Sequence, residues 1–173
     1  MSDKIFLIGF MGSGKSTLAR RIASTFQVSC FDTDRVIEDQ VGMTISEIFN
    51  FHGEEYFRHL ETDILKQTAF YEKSVIATGG GMPCFNDNMR WMKEKGITMY
   101  LDWPEQIITK QLLKERASRP LIAHLTDTDA HSKIKDLLHL RRPIYEQAAI
   151  TLEMQGNEEL DFKLLEKACK YIW

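Results

Sequence analysis

The stretch Gly9-Phe10-Met11-Gly12-Ser13-Gly14-Lys15-Ser16-Thr17 fits the pattern G-x-x-x-x-G-K-[ST] without a substitution. Its flanks supply the context the pattern needs. Lys4-Ile5-Phe6-Leu7-Ile8 reads as a buried strand, and Leu18, Ile22 and Phe26 then recur at helical spacing, so the glycines fall where a strand turns sharply into a helix. Glycine backbone there can curl until its N–H groups converge on an anion, and the helix behind adds the positive end of its dipole. In such a loop Gly12, Ser13, Gly14 and Thr17 cradle nucleotide phosphates, Lys15 reaches the β- and γ-phosphates, and the Ser16 hydroxyl ligates Mg²⁺.

The rest of the chain limits what that loop can serve. A length of 173 residues suits one domain, and a net charge of −3 leaves no basic field for nucleic acid. Any anionic ligand must therefore be held by a few local cations. No apolar run reaches transmembrane length and the N-terminus leads straight into a strand, so a cytoplasmic protein without a signal peptide or membrane partner is expected. Cys30, Cys84 and Cys169 lack metal-ligand spacing and are expected to be reduced packing residues, and the five histidines show no zinc pattern.

Four more apolar runs read as strands: 28–31, 74–77, 97–101 and 149–152. Helical patterns separate them, at 35–40, from Glu54 onward, after an Asn86 cap, from Pro104 to about Glu115, over 133–147 and from about Leu160. Strands alternating with helices predict a parallel sheet covered on both faces, whose first three strands share one carboxyl edge. The phosphate loop, Asp32 with Asp34, and Gly79-Gly80-Gly81 all fall on that edge, where α/β proteins bind ligands. Residues 116–132 form a polar, irregular segment of the length usually reserved for function or disorder.

Each constellation has two readings at this point. Asp32 and Asp34 can hold Mg²⁺ and accept from a substrate hydroxyl, or they can cap the next helix. The three glycines can bring backbone N–H groups close to a substrate, or they can form a flexible turn. Arg58, Arg119 and Arg141 offer forks suited to carboxylate or phosphate, yet by composition alone each is a solvated surface residue. The absence of N-K-x-D, and of a long strand ending in paired acids, disfavours switch GTPases and mechanical ATPases.

Beyond the phosphate loop, the chain carries Phe31-Asp32-Thr33-Asp34 with Ile37-Glu38, Ile48-Phe49, Gly53-Glu54, Phe57-Arg58 with Glu61, and Gly79-Gly80-Gly81. It continues with Arg119-Pro120-Leu121 and Arg141 four residues before Tyr145. In order and spacing, nearly end to end, this set resembles the shikimate kinase family. The resemblance implies a three-layer α/β/α fold like that of the nucleoside monophosphate kinases, with five parallel strands in the order 2-3-1-4-5. It implies one kinase domain over 1–173, with a substrate-binding segment at about 33–61 and a mobile lid at about 112–125. The implied reaction is transfer of the ATP γ-phosphate to the 3-hydroxyl of shikimate, giving shikimate 3-phosphate and ADP, a step toward chorismate and the aromatic amino acids. Nothing in the sequence suggests an extended apolar patch, so a monomer is expected.

By position, the resemblance makes Lys15, Asp34 and Arg119 catalytic, with Asp34 receiving the reacting hydroxyl and Arg119 swinging in on the lid. Arg58 and Arg141 clamp the shikimate carboxylate, Glu61 orients Arg58, the three glycines touch substrate through backbone, and Phe49 with Phe57 lines the ring pocket. Ser16 and Asp32 hold Mg²⁺. The adenine side is placed near Gln155-Gly156-Asn157, and Arg116 stands in for a lid arginine where Leu112 and Leu113 occupy the usual position. Two rivals stay open: a gluconate or nucleoside monophosphate kinase of the same fold, and a module that binds ATP without transferring phosphate. The triple glycine together with Asp34, Arg58 and Arg141 speaks against the first.

Overall fold

The structure, a computed structural model, describes residues 4–173 apart from the Ser118 side chain. Five parallel strands, β1 (Lys4–Ile8), β2 (Ser29–Asp32), β3 (Ser74–Ala77), β4 (Ile97–Asp102) and β5 (Ile150–Glu153), form one sheet in the order β2-β3-β1-β4-β5. β1 lies at the centre because its run is apolar on both faces. Ile5 and Leu7 join a core with Leu18, Ala19 and Ile22 of α1 (Lys15–Phe26) and Leu165 and Cys169 of α7 (Glu158–Lys170). Phe6 and Ile8 face the other way. They pack with Met89 and Met92 of α4 (Asn88–Lys95), Ile108 and Leu112 of α5 (Glu105–Lys114), and Ile134 and Leu138 of α6 (Asp127–Tyr145).

A third, smaller core belongs to the residues between β2 and β3. Ile37 of α2 (Thr33–Val41) packs with Ile48, Phe57 and Ile64 of α3 (Ile45–Gln67). α3 starts with a full capping box, Thr44 Oγ1 accepting from the Glu47 N–H while Glu47 accepts from the Thr44 N–H. It bends at Gly53, whose φ of 82° only glycine adopts cheaply, so the helix expected from Glu54 is the second limb of a longer kinked one.

Several boundaries differ from expectation for identifiable reasons. Asp32 ends β2 and also caps α2, so that helix begins at Thr33 and not Arg35. Asn86 does not cap α4. It has a φ of 52°, in the left-handed region, and its side chain reaches back to α3, donating to the Arg58 carbonyl and to Thr62 Oγ1. The irregular segment is shorter than its composition suggests, because Thr126 Oγ1 caps α6 and the polar run Asp127-Thr128-Asp129 forms its first turn. That helix contains Pro143 and ends at Tyr145. Likewise Asn157 caps α7, which starts at Glu158 ahead of Leu160. No helix among the described residues is long and apolar enough to cross a membrane.

Candidate active site

The phosphate loop closes over its own lysine. Gly12 and Gly14 take φ of 76° and 72°, and Lys15, 7% exposed, donates to the Gly9 carbonyl (2.9 Å), the Phe10 carbonyl (2.7 Å) and Ser13 Oγ (3.0 Å). Burial holds its pKa down at about 8, against the opposing pull of Asp34. A Cβ on Gly12 would meet Leu112 Cδ2 at 2.9 Å, so the last turn of α5 packs directly on the loop. Above Lys15 lies a cavity of about 310 Å³, lined by residues 12–17 together with Asp34, Thr78, Gly80, Gln111, Glu115 and Arg119.

A second cavity, of about 450 Å³, opens beside it. Its walls include Asp34, Phe49, Phe57, Arg58, Glu61, the three glycines and Arg141. Arg58 is 6% exposed and held on every side: it donates to Glu61 Oε2 at 2.5 Å and to Glu54 Oε1 at 2.8 Å, and its guanidinium lies 4.4 Å from the Phe85 ring centroid. Glu61 sits three residues on, and its pKa is pushed up to about 7 by burial, with the Arg58 charge pulling the other way. Arg141 is equally buried. Its neighbour Arg142 turns outward to Asp102 (3.1 Å), so of the two arginines it is Arg141 that enters the cavity.

The two cavities meet at Met11, Asp34, Gly80 and Arg119, which line both. Burial, followed by the charge of Asp32, lifts the Asp34 pKa to about 6. Asp34 Oδ1, Glu61 Oε1 and Arg119 Nε are sealed from solvent without a hydrogen-bond partner among the described residues. Two unmet acceptors and an unmet donor around one cleft are what a ligand carrying hydroxyls and negative charge would satisfy. Arg119 itself donates to Glu115 at 2.6 Å.

Each of the three glycines is required by a different neighbour. A Cβ on Gly79 would stand 2.5 Å from Glu61 Oε1 and 2.6 Å from Asp34 Oδ1; on Gly80, 2.7 Å from the Met11 backbone nitrogen; on Gly81, 2.5 Å from Arg58 Nη1. The Gly81 clash is with the end of a flexible side chain, so Gly81→Ala should fold and displace Arg58. The KM for the acceptor should then rise about tenfold, ~1.4 kcal/mol, with the KM for ATP held within about twofold. Equal changes in both constants would show that Gly81 does not act through Arg58.

Other sequence candidates are placed differently. Asp32 accepts from the Arg35 N–H (3.3 Å) as a helix cap and lines neither cavity, though its charge is felt at Asp34 and Lys15. Arg116 pairs with Asp127. Gln155 donates its backbone N–H to Asp161 (2.7 Å), as Gly156 does (3.0 Å), and it is Gly156 that lines a cleft of about 260 Å³ beside Gly14, Thr17, Leu18, Arg21 and Trp103. Sequence reasoning missed Trp103 and Arg21. Trp103 was findable, since it follows a strand at the ligand edge; Arg21 is brought there only by α1 packing near α7, where it lies 3.9 Å over the Phe162 ring.

The shikimate kinase family model matches residues 11–171. A shikimate kinase of Phocaeicola vulgatus is 38% identical over 145 residues, covering 84% of this chain and 83% of its own. The crystal structure of a shikimate kinase from Bacteroides thetaiotaomicron superposes with a TM-score of 0.87 at 33% identity, over 96% of this chain and 98% of that one. The solved structure of an Acinetobacter baumannii shikimate kinase in complex with shikimate gives 0.88 at 32% identity, over 97% of this chain and 93% of that one. With its sheet order, its paired cavities and these matches along nearly its full length, the chain belongs to the shikimate kinase family.

Proposed function

We propose that the two cavities divide the reaction of a shikimate kinase between them, with ATP lying over the phosphate loop and shikimate beside Asp34, Arg58 and Arg141. The chain transfers the γ-phosphate of ATP to the 3-hydroxyl of shikimate, giving shikimate 3-phosphate and ADP. The observation that carries the division is the shared wall: Asp34 and Arg119 border both cavities, which is where a phosphoryl group must pass from one ligand to the other.

Phosphoryl transfer depends on alignment and charge neutralisation more than on a strong base. Lys15 leaves its loop carbonyls for the β- and γ-phosphates. Arg119 exchanges Glu115 for the moving phosphoryl group as residues 112–125 close, shutting out water that would otherwise compete as acceptor. The unmet Asp34 Oδ1 accepts from the reacting hydroxyl, whose oxygen bonds to the γ-phosphorus as the bond to the bridging oxygen of ADP breaks. Arg58, fixed by Glu54 and Glu61, and Arg141 hold the carboxylate at the far end within the segment 33–61.

The donor set fits Mg²⁺ arriving with ATP. The Ser16 side chain, which lines the phosphate cavity, and the Asp32 carboxylate, within electrostatic reach of Lys15 and Asp34, would hold the ion. When bound there, it would supply neutralisation of the charge building on the phosphates. The adenine lies in the cleft between Gly156 and Trp103. Every group this reading uses lies within one chain, so the proposed site needs no partner subunit, which suits a monomer.

The test is ADP release from purified protein with ATP and Mg²⁺, adding shikimate, gluconate or AMP in turn. Release should accelerate with shikimate alone. Acceleration by gluconate or AMP assigns one of the rival kinases, and release indifferent to acceptor leaves an ATP-binding module.

A further inference from the structure

Tyr145 closes α6 one turn after Arg141, and no catalytic role above uses it. It is 0% exposed, and its ring lies 5.2 Å from that of Tyr100. A buried phenol must still place its hydroxyl proton. This one donates to the Gly80 carbonyl oxygen at 2.5 Å, across 65 positions of sequence, tying the helix that follows the lid to the middle of the glycine turn.

Three of the other five backbone polar groups of that turn are spoken for. The Gly79 N–H donates to Thr33 Oγ1 (3.0 Å), the Gly79 carbonyl accepts from Met82 (3.1 Å) and the Gly81 carbonyl accepts from Cys84 (2.9 Å). The N–H groups of Gly80 and Gly81 have no protein acceptor among the described residues, and both glycines line the acceptor cavity. The Gly80–Gly81 peptide is trans, so its carbonyl and its N–H point in opposite directions. Whatever holds the Gly80 oxygen thereby aims the Gly81 N–H.

We propose that Tyr145 is a positioning residue for the acceptor: its hydroxyl locks the Gly80–Gly81 peptide so that the Gly81 N–H stands ready to donate to shikimate. A glycine turn is the segment most in need of such a lock, because nothing in its own side chains restricts it. Gly80 is also pressed against the Met11 backbone, so the same bond fixes where the acceptor floor meets the phosphate loop. With Arg141 on the preceding turn, α6 would set one cation and one backbone donor of the acceptor site together.

The proposal rests on the acceptor cavity taking shikimate, so shikimate-dependent ADP release by the unaltered protein is measured first; its absence removes that reading and this one with it. Tyr145→Phe keeps the ring and deletes only the hydroxyl. The KM for shikimate should rise about tenfold, with kcat lowered less than about threefold and the KM for ATP unchanged within about twofold. An unchanged KM for shikimate, or an equal loss for both substrates, overturns the role and leaves Tyr145 a packing residue. Labelling with ¹⁵N-glycine gives an independent reading from the chain's ten glycines. In the unaltered protein the Gly81 amide should shift on adding shikimate, and in Tyr145→Phe that response should shrink. A Gly81 amide indifferent to shikimate in the unaltered protein overturns the proposal without recourse to the variant.

Discussion

Replacing Lys15 by alanine should lower turnover on the order of 10³-fold, an effect of the size seen when a charge-stabilising group is removed from an acyl- or phosphoryl-transfer site. The ammonium is the cation built into the phosphate loop itself, and burial strengthens its interaction with phosphate by removing competing water. Its pKa of about 8 leaves it mostly charged at pH 7, and the phosphates of ATP would favour the charged form further. It is held by two carbonyls and a hydroxyl, all within 3.0 Å, so the proposed exchange onto ATP would trade neutral acceptors for charged ones. Arginine should not restore activity, because its planar fork does not fit a site shaped around a single ammonium. Initial rates with shikimate saturating, together with calorimetric binding of a non-hydrolysable ATP analogue, check the prediction. An alanine variant keeping more than about a tenth of the rate would move the main positive charge elsewhere, with Arg119 the nearest candidate.

Legibility in the sequence follows how far each feature depends on tertiary placement. The phosphate loop is contiguous and its flanking periods are strong, so residues 4–26 can be read as a strand, loop and helix without knowing anything else. The Arg58–Glu61 pair is nearly as plain, since a spacing of three places both on one side of a helix. Glu54, the second carboxylate on Arg58, has an equally readable spacing of four but is half exposed and looks like an ordinary surface acid. Arg141 and Arg142 cannot be told apart by local pattern, because which one faces the cavity depends on how α6 is rotated against the sheet. The demand for three glycines is also invisible locally: the atoms a Cβ would strike belong to Glu61, Asp34, Met11 and Arg58, distant in sequence. Asp32 shows the opposite case. Both of its readings rest on local chemistry, and the cap is formed whether or not a metal also uses the second oxygen.

Asp34→Asn should cost about 10²- to 10³-fold in turnover and yet make the unliganded protein more stable at neutral pH. The first part follows from the proposed role of Asp34, which is to accept the reacting proton and align its oxygen. The second follows from linkage. Burial and Asp32 raise the Asp34 pKa from 3.8 to about 6, so the folded state resists ionising a carboxylate that the unfolded chain ionises freely. Below about pH 4 the group is protonated in both states and costs nothing. The penalty grows between pH 4 and pH 6 and is complete above, at ~3 kcal/mol or less. Asparagine cannot ionise, so the Tm of the variant should exceed that of the unaltered protein by several degrees at pH 8 and match it near pH 4. A Tm difference independent of pH would mean that Asp34 is not the residue carrying the penalty. ATP binding should survive the change, because Lys15 and the loop amides do not depend on it. Adding shikimate and Mg²⁺ with an ATP analogue should stabilise the unaltered protein more than the variant, since a hydroxyl donor reaches the orphaned Oδ1. Part of the penalty carried by the buried Asp34 carboxylate is then offset when a substrate hydroxyl donates to it.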